Sequence, residues 1–508
     1  MTDEISRREL LAMIGGALAA VPISSAVTMR PARASQRTAP NFVFIMTDDQ
    51  RQDAMSAYGN TILRTPNMDR IAEGGVRFTE AFVTNALCAP SRASVLTGVY
   101  SHVHGVITNG GGPVYYNQPG LSSNQLTIPH LLRTVGYHTA LVGKWHLRSM
   151  PAGFDEWIIF PDQGAYLDPE MIANGMRLTL RGHADDVVGD QALTFLKQRP
   201  KDKPFCLFYH FKSPHRAWIP SPRFEKTFAD IDIPIPRTFE DRLEGRPEAL
   251  RLAEMAIADM PDFAERGVPS SLPREERKRR NLEHLVKNYY RVLLSVDENV
   301  GRLLDALDKH GITENTVVVY TSDNGFFLGE HGLFDKRLMY EPSIRVPMLM
   351  RFPARAKARV DKSHMVLNVD IAPTLLELAG APVPSWMQGR SMVPLLEGKQ
   401  TSWRSAFMYE YYEYPAEHCV RKNRGVRTDR WKLIHFWEQP EEWELYDLTN
   451  DPDERRNLAG TRPYAGTVAE LRRTLQGLRA ELGDTDPPGP LPVAAPCGKG
   501  VNTGYGPP

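Results

Sequence analysis

Four apolar runs along the chain each end in polar residues capable of chemistry. Phe42-Val43-Phe44-Ile45-Met46 leads into Thr47-Asp48-Asp49-Gln50, and Thr139-Ala140-Leu141-Val142 leads into Gly143-Lys144-Trp145-His146. Residues 205–209 lead into His210-Phe211-Lys212-Ser213-Pro214-His215, and residues 316–320 into Thr321-Ser322-Asp323-Asn324-Gly325. Short continuous apolar runs predict strands buried on both faces. Helical patterns lie between them, at 127–135 and 291–307. The alternation predicts an α/β fold, a large and mostly parallel sheet sandwiched by helices. Ligands of such sheets bind beyond the carboxyl ends of the strands. The four polar stretches should therefore meet at one edge.

The pattern changes towards the C-terminus. Pro382, Pro384 and Pro394 interrupt regular structure, and aromatic strands are predicted at 406–409 and 431–436, with a helix over 466–482. We expect a catalytic domain over 35–398 and a smaller α+β subdomain over 399–485. The Pro/Gly-rich stretch 486–508 reads as an extended tail. At the other end, Ser6-Arg7-Arg8-Glu9-Leu10-Leu11 precedes an apolar stretch at 11–21 and then Ala32-Arg33-Ala34. Residues 1–34 read as a twin-arginine signal with a small-residue cleavage site, implying the twin-arginine export machinery as a partner and a periplasmic or extracellular location. The stretch is too short and too rich in Gly and Ala for a stable membrane span.

Composition narrows the classes. The chain has 508 residues, 42% hydrophobic and 24% charged, enough to bury a large core. Lys plus Arg and Asp plus Glu are 61 each, so no net charge favours a nucleic-acid partner. The basic run 274–280 is interrupted by Glu275 and Glu276 and reads as a solvated helix face. Gly110-Gly111-Gly112 lacks the Lys-Ser/Thr of a phosphate loop and reads as a turn. None of the four cysteines, Cys88, Cys206, Cys419 and Cys497, forms a CxxC pair, which argues against zinc-ribbon and thioredoxin chemistry. Cys206 lies in an apolar strand; an exported location permits a Cys419–Cys497 disulfide without establishing it.

Asp48, Asp49, Asp323 and Asn324 supply hard oxygen ligands at two strand ends. That set suits Ca²⁺ or Mg²⁺ rather than zinc. Adjacent carboxylates repel unless a cation lies between them, although either aspartate could instead cap a helix. Cys88-Ala89-Pro90-Ser91-Arg92 stands at a predicted helix start. A Cys/Arg phosphatase loop would need Arg six positions after Cys, where the chain has Ser94.

The Cys88 pentapeptide resembles the sulfatase signature. The resemblance extends in family order through 41–50, 88–105, 143–146 and 322–347, the last containing Gly329-Glu330-His331-Gly332, Lys336 and Arg345-Val346-Pro347. Asp370-Ile371-Ala372-Pro373-Thr374 and Glu444-Leu445-Tyr446-Asp447-Leu448 continue it. It implies the alkaline-phosphatase/sulfatase-like fold. It also implies that a formylglycine-generating maturation enzyme oxidises Cys88 to formylglycine, whose hydrate attacks sulfur. Asp48, Asp49, Asp323 and Asn324 would hold Ca²⁺, with modified Cys88 as a further ligand. Arg92 would neutralise the nucleophile, and Lys144 and Lys336 would grip the sulfate. His146 would draw the second hydroxyl proton, and His215 would protonate the leaving alcohol. Taken alone, these lysines and histidines could be surface or packing residues.

Residues 213–220, 239–260 and 410–427 resemble bacterial sulfatases that act on 6-O-sulfated N-acetylglucosamine of heparan-type or mucin glycans. Trp218 would then stack on a sugar face, with Glu410, His418 and Arg421 bonding its polar groups. An arylsulfatase or another sulfated-sugar sulfatase remains an alternative. So do a phosphatase or phosphonate monoester hydrolase of the same superfold, and a non-catalytic glycan-binding relic.

Overall fold

The computed structural model describes residues 39–110 and 120–485. The expected export segment, Gly111 and Gly112, and the Pro/Gly-rich tail lie outside the described residues. Ten strands form the main sheet. At its centre, Thr316–Ser322, Asn41–Thr47, Phe205–His210, His138–Gly143 and Glu156–Ile159 lie side by side and parallel. Met348–Arg351 joins one flank antiparallel, next to Val76–Phe78 and Arg359–Asp361. Glu170–Ala173 and Met176–Thr179 extend the other flank as an antiparallel hairpin.

Successive side chains of a strand point to opposite faces. Phe42, Phe44 and Met46 accordingly enter one apolar core, and Val43 and Ile45 the other. This is why the Asn41–Thr47 run is apolar throughout. The Val43 side is covered by Pro66–Glu73, Ala184–Gln198 and Arg274–Lys309, the Phe42 side by Cys88–Thr97, Ile128–Thr134 and Ile371–Ala379.

The helix expected over 291–307 begins at Arg274 and runs for 36 residues. Its first turns are charged, which hides their periodicity, but Asn281, Leu282 and Leu285 are buried. The basic run behaves as a charged surface: Arg274 and Arg277 pair with Asp259, Lys278 with Glu240 and Arg280 with Glu276.

After Gly398 the chain builds an antiparallel sheet of Ala406–Tyr411, Asn423–Thr428, Trp431–Phe436 and Glu442–Asp447. The helix Ala465–Leu482 packs on it through Leu471 and Leu475. Asn423–Thr428 gave no signal in the sequence because it is polar. Phe407, Tyr409, Leu433 and Leu445 join the same apolar cluster as Phe44 and Leu87, so the small sheet shares its core with the large one. Cys88 and Cys206 are free thiols, whereas Cys419 is disulfide-bonded; Cys497 lies outside the described residues. Among the described residues no helix is long and apolar enough to cross a membrane.

The C-terminal helix is tied to the catalytic layer by His102. Its ring lies 2.7 Å from Glu410 Oε2 and 3.0 Å from the Leu482 carbonyl. Burial disfavours its charge, but Glu410, that carbonyl and Asp484 outweigh burial and raise the His102 pKa to about 9. A raised folded-state pKa contributes stability in full below the unfolded value of about 6.5, and loses it as pH climbs through the folded value. Thermal unfolding should therefore show a fall in Tm between about pH 6.5 and pH 9. His102→Gln should flatten that fall; an unchanged slope in the variant would remove His102 as its source.

Candidate active site

The carboxyl ends of the parallel strands bring the predicted residues together. At the end of His138–Gly143, Gly143 has φ +103°, and a Cβ there would lie 1.8 Å from the His210 carbonyl oxygen. Only glycine allows this approach, which seats Lys144 N 3.0 Å from the same carbonyl. The next strand turns through Lys212 and Ser213 to His215, and Ser213 Oγ donates to Asp185 at 2.6 Å. Cys88 is the first residue of its helix, and every residue of that helix is buried. The free Ala89 N–H at this end is satisfied by Asn109 Oδ1 at 2.9 Å.

Asp48, Asp49 and Asp323 are buried, with one oxygen of each within 4.8 Å of the others. Three cations surround them. Arg92 Nε donates to Asp323 Oδ2 at 2.8 Å, and its Nη1 donates to the Lys144 carbonyl at 2.9 Å. Lys144 pairs with Asp48, and Lys336 Nζ lies 2.7 Å from Asp49 Oδ1. Burial alone would raise the Asp48 pKa, but Lys144 first, with Arg92 and Lys336, holds it well below the usual carboxylate range. For Asp323 burial prevails, helped by Asp48, and pushes the pKa to about 7; Asp49 is raised for the same reason.

A hard dication fits this group. Asn324 Oδ1 is buried with no hydrogen-bond partner, while its amide nitrogen donates to Asp49 Oδ1 at 2.6 Å. An acceptor left open beside three carboxylates completes an oxygen-only donor set.

Cys88 Sγ lies 3.4 Å from Asp48 Oδ1. Burial first, and then Asp48, push its thiol pKa well up, so the coded residue is a neutral thiol. His146 and His215 are held neutral, mainly by burial and then by Lys144. His215 Nδ1 donates to the Arg216 carbonyl at 2.8 Å. His146 Nδ1 is buried without a partner.

Several neighbours of the site were not anticipated. Gln163 accepts from Lys144 through Oε1, and its Nε2 lies 3.1 Å from His146 Nε2. An ammonium can only donate, so Oε1 faces Lys144 and the amide N–H₂ faces His146. Lys212 Nζ donates to the Gln163 carbonyl at 3.0 Å, and burial pushes its pKa down to about 7. Gln163 follows the parallel strand Glu156–Ile159, so the short apolar run 157–160 carried the signal used for the other four strands. Beside Lys336, Arg337 pairs with Asp335 and lies 3.3 Å from Glu417. Asp49, His146, Asp335 and Arg337 have φ of 71°, 55°, 77° and 85°. Such backbone costs about 1–3 kcal/mol per residue and gathers where structure serves a site.

Of the four expected sugar contacts, only His418 reaches this region, with Nε2 3.2 Å from Asp335 Oδ2. Trp218 is corrected: its ring is fully buried, stacked on Phe263 at 5.9 Å and edge-on to Phe326, leaving no face for a sugar. Glu410 is also corrected, because it is buried and accepts from His102 and from the Tyr412 hydroxyl. Arg421 is corrected likewise: it pairs with Glu442 and donates to the carbonyls of Glu438 and Pro440.

Comparisons with known proteins agree with this geometry. The family profile described as Sulfatase matches residues 40–381, and that of the N-sulphoglucosamine sulphohydrolase C-terminal region matches 329–481. An N-acetylglucosamine-6-O-sulfatase from Bacteroides thetaiotaomicron is 41% identical over 88% of this chain and 88% of its own. A human N-acetylglucosamine-6-sulfatase is 29% identical over 89% of this chain and 85% of its own. A solved structure described as a complex with its substrate, D-glucosamine-2-N,6-O-disulfate, superposes with TM-score 0.82 at 40% identity, covering 89% of this chain and 99% of that one. A phosphonate monoester hydrolase from Agrobacterium radiobacter, 23% identical with TM-score 0.69 over 87% and 96% of the two chains, shares the fold.

Gln163 holds both Lys144 and His146, so its loss should misplace two groups at once. Gln163→Ala should lower kcat by about 10²-fold with little change in Tm. Unchanged kcat would leave Gln163 with no part in ordering the site.

Proposed function

The chain belongs to the sulfatase family, and from that premise we propose that it hydrolyses 6-O-sulfate esters of N-acetylglucosamine-type sugars through a formylglycine made from Cys88. The observation that carries the reading is the meeting of Cys88, a buried oxygen-only cluster and three buried cations at one sheet edge. The sugar is supported by the substrate named for the most similar solved structure cited above and by the names of the bacterial and human relatives. Natural sources would be heparan-type or mucin glycans. Export by the twin-arginine route would bring the enzyme to them.

Asp48, Asp49, Asp323 and Asn324 would hold Ca²⁺, or Mg²⁺, with the modified Cys88 as a further ligand. When bound, that ion polarises the sulfate oxygens and keeps the carboxylates ionised. The formylglycine supplies a hydrated aldehyde whose hydroxyl is the nucleophile. This chain's own residues do the remaining work. Arg92, fixed by Asp323 and the Lys144 carbonyl, offsets negative charge beside position 88. Lys144 and Lys336 reach inward from two strands and exchange part of their carboxylate contact for sulfate oxygens. Burial deprives these charges of water, so their attraction to a sulfate is stronger than at a surface.

His146 is neutral and anchored by Gln163 beside Lys144, where it can take the proton that frees the enzyme from sulfate. His215 is oriented by the Arg216 carbonyl, which fixes the hydrogen on Nδ1 and leaves Nε2 facing the carboxylates at 3.9 Å from Asp49. After taking up a proton, Nε2 serves the oxygen of the leaving alcohol. His418, with Asp335 and Arg337, forms the polar wall nearest Lys336 and is the candidate surface for sugar hydroxyls.

Cys88→Ala should abolish sulfate ester hydrolysis while keeping the fold, since it removes the nucleophile and little volume. Comparable turnover by the variant would end the formylglycine reading. Chelation should also silence the enzyme, and Ca²⁺ or Mg²⁺ should restore it; rescue by zinc alone would contradict the oxygen-ligand assignment.

A sugar alcohol leaves poorly without a proton, whereas an activated aryl alcohol hardly needs one. His215→Ala should therefore cost about 10²–10⁴-fold on 6-O-sulfo-N-acetylglucosamine and much less on an aryl sulfate. Equal losses on both substrates would leave His215 as a binding residue.

A further inference from the structure

Asp48 turns its two oxygens to different neighbours. Oδ2 meets Lys144 and lies 3.8 Å from Arg92, whereas Oδ1 faces Cys88 Sγ at 3.4 Å. His215 completes a second cluster: one donor atom each from Asp48, Cys88 and His215 lies within 4.8 Å of the others, all three residues being buried. The set contains sulfur and nitrogen, unlike the oxygen-only group of Asp48, Asp49, Asp323 and Asn324.

The imidazole is already prepared as a ligand. A backbone carbonyl only accepts, so the 2.8 Å contact with Arg216 fixes hydrogen on His215 Nδ1 and leaves a lone pair on Nε2. A carbonyl holding the far nitrogen of a histidine is how metal-binding imidazoles are oriented. Thiolate, imidazole and carboxylate together are the donor types of tetrahedral zinc, with bonds of about 2.0–2.3 Å.

We infer that the unconverted chain binds zinc through Cys88 Sγ, His215 Nε2 and Asp48 Oδ1. On binding, the Cys88 S–H bond breaks, its proton passes to solvent and the electron pair left on sulfur forms the metal bond; nothing is oxidised or reduced. The two cation sites share Asp48, so zinc on the coded form excludes the hard cation of the mature one. Converting the thiol removes the only sulfur donor, and the pocket's preference turns from a soft cation to a hard one. This uses the same pocket as the proposed function, but it depends on the encoded cysteine and not on its conversion.

The test uses the full chain made in cells without a formylglycine-generating enzyme, with the intact thiol verified by mass. The protein is stripped of metal and titrated with Co²⁺, whose bond to a thiolate absorbs in the near ultraviolet, and then with Zn²⁺. We expect a thiolate–cobalt charge-transfer band that about one equivalent of Zn²⁺ removes. Cys88→Ser should lose the band, and His215→Gln should weaken Zn²⁺ binding by at least about tenfold. Absence of the band in the parent, its survival in Cys88→Ser, or unchanged Zn²⁺ affinity in His215→Gln would each overturn the inference. None of these readouts involves turnover, so they stand or fall apart from the sulfatase mechanism.

Discussion

The structure turns on a balance of buried charge. Three aspartates lie together where water does not reach, held by Arg92, Lys144 and Lys336 and by the backbone N–H of Asp49 and the side-chain amide of Asn324. Burying an unpaired carboxylate is costly enough that it would protonate instead, and Asp323, pushed to about 7, lies close to that point. The cations are equally bound by the arrangement. Asp49, with Asp335, outweighs burial and keeps the Lys336 ammonium charged. Each group is tolerable only with the others in place, which makes the site rigid in charge as well as in shape.

The fold supplies this balance by stacking two cores on one sheet. Parallel central strands end together, so residues as distant in sequence as Asp48, Lys144, His215 and Asp323 arrive at one edge. The helices that cover the sheet contribute from their ends: Cys88 opens one helix and presents its thiol at the positive terminus, one turn before Arg92. The small C-terminal sheet closes the assembly through shared apolar packing and sends His418 towards Asp335. Left-handed backbone at Asp49, His146, Asp335 and Arg337 is held by this framework and re-aims side chains that regular structure would direct elsewhere.

What the sequence revealed follows the same division. The four central strands were legible because strands buried on both faces must be apolar throughout, and their terminal polar residues stood out against them. Asp48, Asp49, Asp323 and Asn324 stood out as hard oxygen ligands at strand ends, and Cys88 through its resemblance to the sulfatase signature; the structure gathers these five at one sheet edge. Gln163 was missed although the apolar run 157–160 marks its strand, because an amide by itself suggests no chemistry; what it holds is seen in its contacts with Lys144 and His146. Trp218, Glu410 and Arg421 were misread for the opposite reason. An aromatic or charged residue looks available in a sequence, yet tertiary packing covers the indole with Phe263 and Phe326, while His102 and Tyr412 engage Glu410 and Glu442 pairs with Arg421. The run 274–280 was read as a solvated helix face, but its continuity with the helical pattern at 291–307 was not seen, because solvent-facing turns dilute the apolar period.

The charge balance also bears on what the proposed conversion of Cys88 would change. A thiol there is buried against Asp48, and both effects keep it protonated. As a thiol it is therefore a weak nucleophile, and as a thiolate it is a soft ligand beside a carboxylate cluster suited to a hard ion. An aldehyde hydrate differs on both counts. Under the proposed function its hydroxyls would be oxygen donors of the same class as Asp48, Asp49, Asp323 and Asn324, and would suit the hard cation that those residues would hold. The hydrate would also carry a second hydroxyl: with its proton taken by neutral His146, the aldehyde C=O would reform as the C–O bond to sulfate breaks, and sulfate would leave without water attacking sulfur. The features that make this pocket hostile to a cysteine nucleophile, burial and concentrated negative charge, are those that the proposed cation and oxygen nucleophile would turn to advantage.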